Sequence, residues 1–222
     1  MTFRNKLQYF LVKKLQISNK EAIALIASNK VIVNGENCNE NIILQKTDHV
    51  LLDKILLQEG KRLTYYAFNK PKGIETTLNE NISNNLKTFF STEYHLFPIG
   101  RLDKESEGLL IMTNDGDYYN QILKNDNTIE KEYLVKVNKS IEEDFVQKMS
   151  NGIKIMGKTT LPCVVEKISD DSFRIVLKQG LNRQIRRMCY KLNYEVLFLQ
   201  RIRIDKIKLG DLEIGETRMF SI

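Results

Sequence analysis

The apolar run from Leu109 to Met112 most constrains how this chain can fold. A loop, residues 100–108, precedes the run, and the turn sequence Asn114-Asp115-Gly116 follows it. A short apolar run between turn signals is typical of a buried strand. The loop carries Arg101 and Asp103, so the sequence predicts a cation and a carboxylate side by side at the mouth of that strand. Loops held by rigid strands commonly carry reactive groups, whereas the alternative is a solvated loop whose acidic residues only face water.

The composition is that of a globular protein that favours an anionic partner. The 222 residues are 42% hydrophobic and 28% charged, with a formal net charge of +6. This length can hold one large or two modest domains, and the positive charge favours nucleic acid without establishing it. Cys38, Cys163 and Cys189 lie far apart and lack metal-ligand spacing, so we expect a reduced, cytoplasmic protein with no disulfide and no metal. The N-terminal segment is too polar for a signal peptide or a membrane span.

The first 60 residues are expected to form a small domain of their own. Residues 7–15 show the apolar spacing of a helix, and Ser18 with Glu21 forms a capping box that opens a second helix. We expect this second helix to direct three apolar side chains inward: Ile23, Ile26 and Ala27.

A hairpin and a linker are predicted after these helices. Asn34-Gly35 directly follows the apolar residues 31–33 and is a strong signal for a two-residue hairpin turn. Further strand-like sequence extends from Ile42 to Asp53. The polar span 57–62 contains glycine and precedes a new apolar run, so we place the linker there and expect a second domain at residues 62–222.

The second domain is predicted to be α+β, with a sheet covered by helices. Lys131 to Val137 alternates as a half-buried strand does, and Phe173 to Leu177 predicts another strand. Residues 141–149 carry apolar side chains at helical spacing. The turn Lys70-Pro71-Lys72-Gly73 is expected to direct both of its lysines to solvent.

A helix with one apolar face and one basic face is predicted after Asn182, which is a plausible N-cap. The apolar stripe consists of Ile185, Met188, Cys189 and Leu192, and the residues nearly opposite are Arg183, Arg187 and Tyr190. Arg186 lies on the flank of the apolar stripe, so we expect it to be half-buried and to need a carboxylate partner. Residues 178–193 contain no acid, which leaves the other cations free to meet phosphate. The alternative is a solvated basic face.

Three signals in the first domain belong together: Ser18-x-x-Glu21-Ala22, Val31-x-Val33-Asn34-Gly35 and Asp48. Together they resemble the S4 RNA-binding domain, and the resemblance implies that the two helices and the adjoining loop hold folded RNA. The chain departs from that family in having Asn19 where arginine is usual. RNA contacts are then expected from Arg4, Lys6, Lys13, Lys20 and Lys30. The alternative is a generic helical cap on the second domain.

Four segments of the second domain occur in a characteristic order. They are Lys70-Pro71-Lys72-Gly73, Gly100-Arg101-Leu102-Asp103 with Ser106 to Leu110, Lys131-Glu132-Tyr133-Leu134, and Arg183 to Met188. In order and spacing they resemble the small-ribosomal-subunit type family of pseudouridine synthases over essentially all of residues 62–222. Lys131 to Val135 and Gly180-Leu181-Asn182 look most like the branch of the large-subunit 23S rRNA pseudouridine synthase F. The resemblance implies a mixed, mostly antiparallel sheet flanked by helices, with a central cleft.

The resemblance also implies roles for individual residues. Asp103 is expected to be the catalytic aspartate, which attacks the sugar or assists loss of the C2′ proton. Arg186 is expected to pair with it, and Tyr133 to stack on the target base. Because the base must leave its stack to be reached, Arg101 is expected to fill the vacated space. Further RNA contacts are expected from Lys70, Lys72, Arg183 and Arg187.

The substrate that the resemblance implies is ribosomal RNA, with 23S rRNA first and a tRNA as a second target. The isomerisation needs no redox step and no energy source, so we expect no cofactor and a monomer without membrane contact.

Two other interpretations stay open at this point. Glycoside hydrolysis would pair Asp103 with Glu105 or Glu107, but such sites usually stack sugars on tryptophan, and the chain has none. A non-catalytic RNA-binding module is disfavoured because a carboxylate in its cleft would repel phosphate.

Overall fold

The computed structural model describes residues 3–90, 95–124 and 128–222. The chain divides into two units, Met1–Leu63 and Thr64–Ile222, and each has its own hydrophobic core. No helix in the described ranges is long and apolar enough to cross a membrane.

The first unit combines two helices with a four-stranded antiparallel sheet of order β2-β1-β3-β4. Its elements are α1 (Leu7–Leu15), α2 (Asn19–Ala27), β1 (Val31–Val33), β2 (Glu36–Asn37), β3 (Val50–Leu52) and β4 (Ile55–Gln58). The predicted capping box of Ser18 and Glu21 at the start of α2 is confirmed. The hairpin turn is confirmed too, because Asn34 and Gly35 have φ values of 53° and 89°, as a two-residue turn requires.

The buried face of α2 differs from the predicted one. Ala22 and Ile26, four residues apart, are buried in the same core as α1 and β1. Ile23 is 54% exposed and Ala27 is exposed as well, so the prediction that both point inward is wrong. Ile23 lies about 100° around the helix from Ala22, and a face that buries Ala22 and Ile26 therefore turns Ile23 towards water.

The second unit is built on a nine-stranded mixed sheet with a few helices, so the predicted α+β class is confirmed. Its elements are β5 (Tyr65–Lys70), β6 (Phe97–Ile99), β7 (Glu107–Thr113), α3 (Gly116–Lys124), β8 (Lys131–Val137), α4 (Phe145–Ser150), β9 (Lys154–Ile155), β10 (Lys158–Thr159), β11 (Val164–Lys167), β12 (Ser172–Leu177), α5 (Gln184–Lys191), β13 (Val196–Ile204), β14 (Ile207–Lys208) and β15 (Thr217–Met219). The strand order is β11-β12-β8-β13-β7-β5-β15, with β14 on β13 and β6 on β7, while β9 and β10 form a separate hairpin.

Strand β7 lies in the interior of this sheet. Its apolar run from Leu109 to Met112 is fully buried, as predicted. The strand pairs antiparallel with β5 and β6 and parallel with β13. The loop that carries Asp103 therefore leads directly into a strand that is hydrogen-bonded to three other strands.

The parallel contact between β7 and β13 depends on a glycine. Gly108 pairs with Arg201 and has a φ of 101°, a conformation that residues with a side chain rarely adopt. A Cβ atom at this position would lie 2.7 Å from the amide nitrogen of Arg201 and closer still to its carbonyl oxygen. Both backbone conformation and space thus require glycine here.

Replacing Gly108 by alanine is expected to lower the free energy of unfolding by about 2–4 kcal/mol, through backbone strain and steric overlap. Chemical denaturation of the two proteins measures this change. Gly116→Ala is the matched control, because Gly116 opens α3 with open space around its Cβ position. Equal unfolding free energies for the two variants would contradict the requirement for glycine at residue 108.

Candidate functional site

A cleft with a volume of about 480 Å³ opens beside the loop that precedes β7. Strands β8 and β13, helix α3 and the segment that leads into α5 contribute to its walls, together with single residues of β6 and β12. Four of the predicted catalytic and RNA-binding residues line this cleft together: Arg101, Asp103, Tyr133 and Arg183. Lys70, Lys72, Arg186 and Arg187 are not part of its lining.

The loop around Asp103 is held by hydrogen bonds on both sides of the aspartate. The Thr76 hydroxyl donates to the Leu102 carbonyl at 2.6 Å and accepts from the Leu102 amide at 3.2 Å. The amide of Gly73 donates to the carbonyl of Lys104 at 2.7 Å. Asp103, which is half-buried, therefore sits between two anchored residues.

Arg186 is half-buried, as predicted, but it does not pair with Asp103. Its Nη1 donates to the carbonyl of Val196 at 3.1 Å, and its Nη2 donates to the carbonyl of Glu105 at 3.1 Å and to the hydroxyl of Ser106 at 3.3 Å. In the parts of the chain that the structure describes, no cation forms an ion pair with the Asp103 carboxylate. The predicted pair is wrong, because Nη1 is directed to β13 and Nη2 to uncharged oxygens of Glu105 and Ser106. Nε of Arg186 is buried and has no hydrogen-bond partner among the described residues.

An ion pair joins the loop to the segment before α5. Arg183 Nη1 lies 2.6 Å from Oε2 of Glu105, and this hydrogen bond lowers the pKa of the Glu105 carboxyl. Together with the Arg186 contacts, the pair connects the start of α5 to the residues that directly follow Asp103.

Asn182 does not cap α5 as the sequence predicts. Arg183 stands between Asn182 and the first helical turn with a φ of 52°. This left-handed residue turns Asn182 away from the helix, and its Oδ1 accepts a hydrogen bond from Nη2 of Arg187 at 3.1 Å. The side chain of Gln184 instead accepts from the amide of Leu181 at 3.1 Å.

The two predicted faces of α5 are confirmed, since Ile185, Met188 and Cys189 are buried while Arg183, Arg187 and Tyr190 are exposed.

Tyr133 reaches the cleft from β8. It pairs with Ile175 of β12 on one side and with Arg201 of β13 on the other. The ring is half-buried, so one part packs in the core while another part lines the cleft. This position suits an aromatic platform for a planar ligand.

Arg201 is a cleft residue that the sequence interpretation missed. It is 3% exposed, its Nε donates to the carbonyl of Leu109 at 2.7 Å, and its Nη1 donates to the carbonyl of Arg101 at 3.4 Å. Its Nη2 is buried and has no hydrogen-bond partner among the described residues. The alternation of β13, in which Leu199 and Arg201 share a buried face, could have indicated a charged side chain inside the fold.

Lys70 is fully buried, contrary to the prediction that it faces solvent. Its Nζ donates to the carbonyls of Pro71 at 2.8 Å and Ile74 at 2.7 Å. Burial lowers the pKa of Lys70 to about 8, although nearby carboxylates, Asp103 among them, oppose this shift. Lys70 therefore holds the following turn, and its assignment to RNA binding is a misinterpretation, whereas Lys72 is exposed as expected.

The remaining basic residues predicted to bind RNA lie at the surface. Arg101 and Arg187 are exposed in the second unit. In the first unit, Arg4, Lys13, Lys20 and Lys30 are exposed and Lys6 is partly buried. Lys30 forms an ion pair with Asp53 at 3.3 Å, so part of its charge is already balanced.

Comparisons with known proteins agree on one family. The family model of RNA pseudouridylate synthase matches residues 64–191. The chain is 42% identical to the dual-specificity RNA pseudouridine synthase RluF of Escherichia coli K12, over 90% of this chain and 70% of that protein. It is 28% identical to the ribosomal large subunit pseudouridine synthase B of Bacillus subtilis, over 90% of this chain and 86% of that protein. A crystal structure of a pseudouridylate synthase matches with a TM-score of 0.68 and 26% identity, over 97% of this chain and 96% of that one.

Replacing Lys70 by methionine is expected to change how stability depends on pH. The pKa of Lys70 is about 8 in the folded protein and returns to its ordinary value of 10.5 on unfolding. Between these values the unfolded chain binds more protons than the folded one, so Lys70 makes the wild type more stable as the pH rises. The free energy of unfolding of the wild type should therefore rise relative to that of Lys70→Met from about pH 8 upwards.

Urea denaturation of both proteins across this pH range measures the difference. Lys72→Met is the control, because this neighbouring lysine is exposed. If the difference in free energy of unfolding between wild type and Lys70→Met does not change with pH, the pKa of Lys70 is not lowered in the folded protein.

Proposed function

Because the chain belongs to the RNA pseudouridylate synthase family, we propose that it converts a specific uridine of large-subunit ribosomal RNA to pseudouridine in the cleft beside Asp103. The ribosomal substrate is supported by the name of the Bacillus subtilis relative, and a tRNA as a second substrate by the dual specificity of the Escherichia coli relative. The observation that carries the proposal is that Asp103, Tyr133 and Arg201 line one cleft. Its volume of about 480 Å³ is that of a small-ligand site and suits one nucleotide.

The reaction rearranges one nucleotide without a net change in composition. The bond from C1′ of the ribose to N1 of uracil breaks, and the base leaves with the electron pair. The base then turns, C1′ forms a bond to C5, C5 loses its proton and N1 gains one. The Asp103 carboxylate acts on the ribose, either as a nucleophile at C1′ or as a base at C2′. Arg201 places a positive charge at the wall of the cleft, which favours the negative charge of the departing base.

The target base must leave the RNA stack before it can enter this cleft. Extrusion costs a few kcal/mol, which contacts inside the cleft offset. Tyr133 supplies an aromatic face for the extruded base, and apolar side chains such as Leu102 and Leu199 line the cleft as well. Arg101 is exposed next to Asp103, where its side chain can enter the space that the base leaves in the RNA.

The geometry does not suit glycoside hydrolysis. A glycosidase needs a second carboxyl group that stays protonated as a general acid, with a raised pKa. Neither candidate, Glu105 nor Glu107, lines the cleft. The pKa of Glu105 is moreover lowered, because Arg183 donates a hydrogen bond to it. Glu105 therefore stays ionised and cannot act as that acid.

Asp103→Asn is expected to abolish pseudouridine formation while RNA affinity stays within about threefold of wild type, because a group that does chemistry contributes little to phosphate binding. Release of tritium from C5 of labelled uridine in ribosomal RNA measures turnover, and filter binding measures affinity. Asp170→Asn is the matched control, since the Asp170 side chain is 92% exposed in the turn between β11 and β12. Turnover by Asp103→Asn within tenfold of wild type would refute the role of Asp103.

We further propose that the first unit is an S4-like domain that binds RNA. Its two helices, the capped start of α2 and the tight turn after β1 support this assignment. Exposed cations on both helices, Lys13 and Lys20, provide positive charge for an RNA backbone. The matched pseudouridylate synthase structure, which extends over 97% of this chain, is consistent with a first unit of this kind.

Removing residues 1–63 is expected to weaken RNA binding and to reduce its salt dependence, because the lost cations no longer displace counterions. The second unit should stay folded, as it has its own core. Binding titrations at two salt concentrations and circular dichroism check both statements.

In the full chain, Lys20→Gln should weaken RNA binding more than the control Lys54→Gln, because Lys54 is an exposed lysine of the same unit outside the two helices. Unchanged RNA affinity after the truncation would rule out the RNA-binding role.

A further inference from the structure

A second groove, with a volume of about 1200 Å³, lies between the exposed face of α5 and the β9–β10 hairpin. Four cations line it, Arg183, Arg186, Arg187 and Lys191. Glu195 is the one acidic residue among the described residues of its lining. The groove is therefore positively charged as a whole and favours an anionic ligand.

An exposed aromatic ring accompanies these cations. Tyr190 in α5 is 75% exposed. It directly precedes Lys191 and lies three residues after Arg187 in the sequence. Lys191 forms no ion pair with any described residue, so its charge is available to a ligand. Met156, at the tip of the hairpin, is 63% exposed and adds an apolar surface to the same groove. Cations that follow a backbone, combined with an aromatic ring on which a base stacks, characterise surfaces that bind single-stranded nucleic acid.

The groove adjoins the cleft that holds Asp103. Arg183 belongs to the lining of both cavities. Its ion pair with Glu105 holds it at the junction between them. An RNA strand with its target nucleotide in the cleft can therefore pass Arg183 and enter the groove.

We propose that this groove binds a single-stranded segment of the RNA next to the target uridine, with a base stacked on Tyr190 and a phosphate bound by Lys191. The inference rests on the proposed function, because it assigns the flanking part of the same substrate. A single strand fits these groups better than a duplex, since paired bases inside a helix have no free face for Tyr190. Stacking of this kind tolerates any base, so the groove adds affinity without selecting a sequence.

The test measures binding separately from catalysis. Fluorescence anisotropy follows a labelled single strand of twelve uridines and a labelled RNA duplex of equal length. Tyr190→Ala should weaken single-strand binding by about tenfold, whereas Tyr190→Phe should stay within about twofold, because phenylalanine keeps the stacking ring. Neither variant should change duplex binding by more than about twofold.

Charge variants test the phosphate contact. Lys191→Gln should weaken single-strand binding and reduce the slope of log affinity against log salt by about 0.7. Lys206→Gln is the matched control, because Lys206 is exposed in the turn between β13 and β14 and outside the groove. Polyglutamate of equal charge should compete far less well than the uridine strand, since it offers no base to stack.

The outcomes separate this inference from the proposed function. If the wild type forms no pseudouridine in ribosomal RNA, the proposed function fails, and the groove assignment fails with it. If the wild type is active but Tyr190→Ala binds the single strand as wild type does, the groove assignment alone is overturned. Equal losses for Tyr190→Ala and Tyr190→Phe, equal competition by polyglutamate, or equal effects of Lys191→Gln and Lys206→Gln also overturn it.

Discussion

Strands β7 and β13 run parallel to each other for two residue pairs, and at one of these pairs the backbones approach so closely that only Gly108 fits. The same contact brings the side chain of Arg201 to the start of β7 and the loop before it, where it donates to the carbonyls of Leu109 in the strand and Arg101 in the loop. The position of Asp103 therefore depends on a contact between two backbones more than on any contact of its own carboxylate. Strand β13 also pairs with β8, which carries Tyr133. The contact between β7 and β13 therefore brings Tyr133 and Arg201 to the same cleft as the loop that carries Asp103.

Three arginines then hold the loop, and none of them neutralises Asp103. Arg183 binds the carboxylate of Glu105, and Arg186 binds main-chain and hydroxyl oxygens of the loop. Arg201 binds the carbonyl of Arg101 before Asp103 and the carbonyl of Leu109 after it. The Asp103 carboxylate, to which we assign the chemistry, is thus held in place without forming an ion pair. A site arranged in this way needs little reorganisation when the substrate enters, which is the usual source of electrostatic catalysis.

Features with strong local signals could be predicted from the sequence, and features that depend on distant contacts could not. The buried strand at residues 109–112 and the two faces of α5 follow from hydrophobic spacing, and both predictions are confirmed. The order of the motifs placed the chain in its family, which the comparisons also show. The partner of Arg186 escaped prediction because it lies 81 positions away in sequence, at the carbonyl of Glu105. The burial of Lys70 could not be predicted, because turn residues indicate the conformation of the backbone and not which distant residues pack over a side chain.

The sequence by itself determined which chemical groups are present and which local elements carry them: an aspartate on a loop before a buried strand, a tyrosine on an alternating strand and a basic helix. Spacing, caps and turn residues act over a few positions, so they can be recognised without the fold. Only the tertiary structure decided that Arg201 reaches the cleft, that Arg186 holds a loop and that a basic groove adjoins the cleft at Arg183. The physical reason is that burial and hydrogen-bond partners arise where segments far apart in the chain pack together, and side-chain identity alone does not specify which oxygen a long cationic side chain will meet.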